Sequence, residues 1–141
     1  LRPAGPDEQL FNWLIENLDY LDNEQDVNAN FHIGFLIGLT RYLGIAPANN
    51  YGRDHPVFDM QNGNYISDPP LHGYYMGKDY SCLLNDFLNS SIEGCAEIPL
   101  SGNMRKEFLN DLLVFYSIHL PGFKNIKSLQ IYSELFSGSG G

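Results

Sequence analysis

The sequence predicts a mainly α fold, a helical bundle of four or five helices with a small β-hairpin inserted, and three observations point to it. Apolar residues recur three and four apart in several long segments, one segment is apolar on nearly every face, and an Asn-Gly pair separates two short alternating runs near the middle of the chain. At 141 residues the chain fits one domain, because halving it would leave each part too little interior to bury.

The elements follow in order. Across residues 7–23, Leu10, Phe11, Leu14, Ile15, Leu18 and Leu21 share a stripe opposite Glu8, Asn12, Glu16 and Asp19, which predicts an amphipathic helix. Residues 27–43 carry Phe31, Ile33, Phe35, Leu36, Ile37, Leu39, Tyr42 and Leu43 on almost all sides, so this helix is expected in the middle of the domain. Gly34 and Gly38 would let another helix approach one stripe closely, Gly44 sits where a helix C-cap wants a residue tolerant of positive φ, and Pro47 prevents the helix from resuming. From residue 46 to 78 the texture turns to Asn, Gly, Asp, Pro and Tyr. The runs Val57-Phe58-Asp59-Met60 and Asn64-Tyr65-Ile66-Ser67 flank Gln61-Asn62-Gly63, a hairpin signal, and a two-stranded ribbon of this size needs a helical surface to lean on. Helical spacing returns at residues 80–88 and 103–119, with Pro121-Gly122 as terminator, and a closing helix is expected through Leu129, Ile131, Tyr132, Leu135 and Phe136. The Ser-Gly stretch at 137–141 reads as a flexible tail.

Eight Lys and Arg against seventeen Asp and Glu leave a net charge of −9, the reverse of a generic phosphate-binding module. No run of eighteen apolar residues suggests a membrane span. Residues 1–6 show neither an initiator Met nor the order of a signal peptide, which places them in a longer gene or after a removed segment. Cys82 and Cys95 would close at most one loop; two cysteines in an acidic chain without a secretory signal read as free thiols of the cytosol.

Catalytic motifs are absent from the sequence. His32, His55, His72 and His119 show no ligand spacing with one another or with the cysteines, so no metal site is expected. There is no Gly-x-Ser-x-Gly, and the run from residue 73 to 77, followed by Lys78-Asp79, has one residue too few between its glycines and an Asp where a phosphate loop needs a hydroxyl. The pairs Asp54 with Asp59 and Glu16 with Asp19 are candidate acid–base carboxylates, though such groups are more often solvated. The reading is a non-enzyme with no cofactor. Charge is nevertheless polarised: residues 1–35 hold Arg2 against seven acidic groups, whereas residues 101–136 hold Arg105, Lys106, Lys124 and Lys127 against Glu107, Asp111 and Glu134. A positive end beside Phe123 and Tyr132 suits an acidic peptide carrying an aromatic, and suits equally a solubilised turn.

Three stretches carry a family resemblance: Phe35-Leu36-Ile37-Gly38-Leu39-Thr40-Arg41-Tyr42-Leu43-Gly44-Ile45-Ala46-Pro47, the ribbon from Val57 to Tyr65, and His119-Leu120-Pro121-Gly122-Phe123-Lys124-Asn125-Ile126-Lys127-Ser128-Leu129. Together they resemble the C-terminal helical domain of the RecO family of DNA repair proteins, in its Bacteroidetes-like branch, over residues 7–136. The resemblance implies a linker at residues 1–6 from an upstream OB-fold that binds DNA. It also implies a cytoplasmic, nucleoid-associated bacterial protein acting in recombinational repair. Its partners would be the acidic tail of single-stranded DNA-binding protein and RecR, through which it anneals strands and loads RecA. Many members carry a zinc site from Cys-x-x-Cys pairs after the Leu-Gly-x-x-Pro passage and after the ribbon; here those places read Asn49-Asn50-Tyr51-Gly52-Arg53 and Ile66-Ser67-Asp68-Pro69, so zinc is not carried over. Adjacent basic residues that some members use for partner binding align with Ile33 and Gly34. Lys127 is the basic position carried over by resemblance, with Arg41, Arg105 and Lys106 added as partner-binding candidates on charge alone. The alternatives are a helical interaction domain of an unrelated pathway and a small metal-dependent enzyme.

Overall fold

A computed structural model of the chain describes residues 27–91 and 93–120. They contain helices α1 (Val27–Tyr42), α2 (Lys78–Leu88) and α3 (Gly102–His119), strands β1 (Val57–Asp59), β2 (Asn64–Ile66) and β3 (Tyr75–Met76), and a 3-10 turn at Gly94–Glu97. The helices expected at 7–23 and 129–136, the linker at 1–6, the tail at 137–141 and Lys127 lie outside the described residues. Residues 27–101 belong to one compact unit and α3 to another. No helix among the described residues is long and apolar enough to cross a membrane.

α1 ends as its glycine predicts. Gly44 takes φ 76°, the Ile45 N–H reaches back to Thr40 O at 2.9 Å, and the Gly44 N–H to Arg41 O at 3.3 Å. This is the paired closure that satisfies the last carbonyls of a helix. The expectation of an all-round buried rod needs correction. Ile33, Leu36, Ile37 and Thr40 are buried, but Phe31, Phe35 and Tyr42 are exposed, Tyr42 at 92%. The buried face meets the 3-10 turn and α2, and Asn30 fastens it by donating from Nδ2 to Cys95 O (3.0 Å) and to Ile98 O (2.7 Å).

The glycine stripe divides. A Cβ on Gly34 would lie 2.6 Å from Cys95 Sγ, so the close neighbour is the cysteine of the 3-10 turn, whereas a Cβ on Gly38 would meet no other packed group within 4 Å among the described residues. Both cysteines are free thiols, Cys95 buried and Cys82 half-buried.

The hairpin forms where the Asn-Gly signal places it, with Val57 opposite Ile66, Phe58 opposite Tyr65 and Asp59 opposite Asn64. Its strands stop at Asp59 and Ile66 because Met60 joins the turn, and Gly63 closes that turn at φ 73°. A third strand corrects the two-stranded expectation: β3 pairs antiparallel with β1, Phe58 opposite Met76, giving the order β2-β1-β3. The run once weighed as a phosphate loop is this strand, entering α2 through Gly77. β1 is therefore central, and Val57, Phe58 and Asp59 are all buried. Burying a side chain such as Phe58 or Met76 contributes about 1.5–3 kcal/mol.

The helical surface that supports the sheet is α2. Its Leu84, Phe87 and Leu88 are buried, and the Ser81 hydroxyl accepts from the Phe58 N–H (2.8 Å) while donating to Met76 O (2.9 Å). The Tyr65 hydroxyl donates to Ser81 O at 3.2 Å. In the other unit α3 buries Phe108, Leu109, Leu112, Leu113, Phe115 and Tyr116 together with Arg105, while Met104 and Ile118, expected from the spacing on the same apolar helix, are half-buried.

The two glycines of α1 predict opposite responses. Gly34→Ala should destabilise by about 1–3 kcal/mol because the neighbour is packed, and less so in a Cys95→Ala background. Gly38→Ala should stabilise by about 0.5–1 kcal/mol through helix propensity. Urea unfolding of the parent, the three single variants and the Gly34→Ala/Cys95→Ala double variant checks both signs.

Candidate functional site

The densest polar constellation among the described residues surrounds Asp59, at the end of the central strand. Asp59 Oδ1 accepts from the Gln61 N–H (2.9 Å) and the Asn62 N–H (2.9 Å), and Oδ2 accepts from Asn62 Nδ2 (3.0 Å). His72 Nε2 lies 3.0 Å from Oδ1. His72 Nδ1 accepts the Tyr74 N–H at 2.9 Å, which assigns the proton of the neutral ring to Nε2 and makes it the donor to Asp59. The ring also stacks on Tyr74, centroids 5.9 Å apart.

An Asp–His pair orients an imidazole in many hydrolases, where the second nitrogen faces a nucleophile. Here that nitrogen is occupied by a backbone N–H. The pair clamps the 59–62 turn to the loop that leads into β3. Burial alone would raise the Asp59 carboxyl, but the Asn62 backbone N–H, then His72 and the Gln61 N–H, favour its charged form and leave it below its ordinary 3.8. Sequence reading considered Asp59 only beside Asp54, which is exposed. Its true partners carry a partial signal: an Asp ahead of a Gly-containing turn predicts bonds to the next backbone N–H groups, whereas His72, thirteen residues on, has none.

The basic candidates part company. Arg41 is exposed on α1 and donates from Nη2 to Leu88 O at 3.2 Å, a cation at the carbonyl end of α2 where the helix dipole favours it. Arg105 is buried, 6% exposed, and Lys106 half-buried, both on α3.

The two stretches where the resembled family places zinc ligands are residues 49–53 and 66–69 in this chain. Zinc takes thiolate, imidazole or carboxylate ligands in a tetrahedron. No group of three or more His, Cys, Asp or Glu able to hold a metal occurs among the described residues. The two stretches in question offer amides and hydroxyls, with Asp68 exposed, so they do not fit zinc.

Among the described residues one other carboxyl departs from its ordinary range. Burial, with Glu107 one helical turn away, pushes Asp111 from 3.8 up to about 7. The two acids predict opposite pH responses. Asp59 contributes stability that is fully present above 3.8 and is lost as pH falls through its lower folded value. Asp111 favours folding only while protonated, so its contribution is full below 3.8 and disappears as pH rises through about 7. Denaturant titrations from pH 3 to 8 should show Asp111→Asn stabilising at pH 8 and close to neutral at pH 4, and Asp59→Asn destabilising above pH 4, by about 1–3 kcal/mol.

The comparisons with known proteins agree with the motifs. A family model described as Recombination protein O C terminal matches residues 1–52. The DNA repair protein RecO of Azobacteroides pseudotrichonymphae is 32% identical over 136 residues, 96% of this chain and 56% of that protein. That of Christiangramia forsetii is 34% identical over 136 residues, again 96% and 56%, and that of Phocaeicola vulgatus 31% identical over 137 residues, 97% and 57%. The chain spans a little over half the length of these relatives. No solved structure matches. Motif order, family model and similarity along nearly the whole sequence converge on the RecO proteins, to which the chain is similar over 96% of its length.

Proposed function

We propose that this chain is the helical portion of a non-catalytic mediator of DNA repair and recombination. On this reading its helices form a bundle-like platform that positions an upstream OB-fold and receives protein partners. The observation that carries the reading is the similarity, over 96% of the chain, to proteins named DNA repair protein RecO. Because the chain covers only 56% of those relatives, DNA contact is assigned to the rest of the protein, in keeping with the net charge of −9 here. The Asp59–His72 pair supports a recognition role in a negative sense, since both groups are spent on holding a turn.

The proposed partners are the acidic tail of single-stranded DNA-binding protein and a RecR-like protein, through which strand annealing and RecA loading proceed in the bacterial cytoplasm at the nucleoid. Lys127, Lys106 and Arg41 are the proposed basic contacts. Arg105, a fourth basic candidate, is buried at 6% exposure and is left out of the proposed contact set. Recognition of this kind draws affinity from a few aromatic anchors and partner selection from charge.

Titration of a labelled acidic tail peptide and of single-stranded DNA against the chain, each at two salt concentrations, tests the reading. Peptide binding should weaken with salt, and Lys127→Ala and Lys106→Ala should each reduce it about two- to fivefold, as exposed ion pairs do. DNA should bind weakly. Tight DNA binding, or a peptide affinity indifferent to salt and to both substitutions, would overturn the proposal.

A further inference from the structure

The first of the two stretches that do not fit zinc is nevertheless joined to Tyr65, the hairpin residue directly ahead of the second. Asn50 Nδ2 donates to Tyr65 O at 3.0 Å, and the Tyr65 N–H donates to Asn50 Oδ1 at 2.9 Å. Tyr65 lies on β2, an edge strand, and a residue's N–H and C=O point to the same side of an antiparallel strand. The carboxamide of Asn50, with one donor and one acceptor in a plane, takes the place that a neighbouring strand's peptide group would hold.

Further contacts converge on the same seam. The Ala48 N–H donates to Gly63 O at 2.8 Å, and the Tyr51 ring meets the Tyr65 ring edge to face, centroids 5.4 Å apart. Asn49 and Asn89 exchange amide hydrogen bonds at 3.0 and 3.2 Å, tying the loop to the end of α2. Tyr65 is itself anchored on its other side: its ring is buried against Phe58 and its hydroxyl donates to Ser81 O. Whatever fastens to its backbone therefore fastens to the core.

We propose that Asn50 is a metal-free clamp: its side-chain amide closes the 46–56 loop onto the hairpin, the cross-link that a zinc ion between the two stretches would otherwise supply. Zinc binding stabilises only a state whose ligands are assembled. A clamp of amides needs no ion, saturates the outward backbone groups of an edge strand, and so shields that edge from pairing with another chain.

The test is thermal unfolding of the full chain with zinc chloride or EDTA, together with amide hydrogen exchange at Tyr65. The melting temperature should be the same with chelator and with zinc. Asn50→Ala should lower it by about 4–8 °C and speed exchange of the Tyr65 amide about tenfold or more. Asn50→Asp keeps the acceptor for the Tyr65 N–H but sets a carboxylate oxygen against Tyr65 O; it should melt lower at pH 7 and recover as the carboxyl is protonated, which keeps the proposal testable if the alanine variant fails to fold. A melting temperature that falls with EDTA and returns with zinc would overturn the clamp, as would a Tyr65 amide unmoved by Asn50→Ala or an Asp variant as stable as the parent at pH 7. Peptide binding is not the readout, so this inference and the proposed function stand or fall separately.

Discussion

A sheet of eight residues in three strands cannot bury enough surface to stand alone, and the hydroxyl of Ser81 is where it gains its support. The oxygen takes the Phe58 N–H of the central strand and gives its proton to Met76 O of the third strand. A single fully buried side chain thus joins two strands to the first turn of α2. Its own backbone carbonyl receives the Tyr65 hydroxyl from the second strand. Polar groups this deep are tolerated because each has a partner, and removing one would strand the others.

The same economy recurs at the sheet's margins. Asp59 ends the central strand by drawing two backbone N–H groups into a turn, and His72 returns to it from the loop ahead of β3. Asn50 covers the outer edge of β2. Arg41 and Asn49 both reach the last turn of α2, one to the Leu88 carbonyl and one to Asn89. Groups that chemistry alone would nominate for catalysis or ligand binding are spent here on loop closure.

Some of this was legible in the linear chain. The helices at 27–42, 78–88 and 102–119 follow from apolar spacing, the end of α1 from Gly44, and the hairpin from Asn62-Gly63, because each is set by interactions within a few residues. The third strand was not legible: Tyr75–Met76 is two residues long, too short for any period, and becomes a strand only because β1 has an open edge beside it. The all-round apolar helix misled for a related reason. Composition says which residues are able to be buried, and Phe35 and Tyr42 are, but burial needs a neighbour on that side.

The sequence alone determined the family resemblance, the three described helices, the hairpin and the absence of cysteine from the expected zinc stretches, since these depend on residue identity and local order. Tertiary structure decided what each polar residue does. Asn50, Asp59, His72 and Ser81 find partners fifteen, thirteen and twenty-three residues away, and Arg41 one forty-seven away. Hydrogen bonding is directional and short-ranged, so a donor's role is unreadable until folding brings its acceptor to about 3 Å.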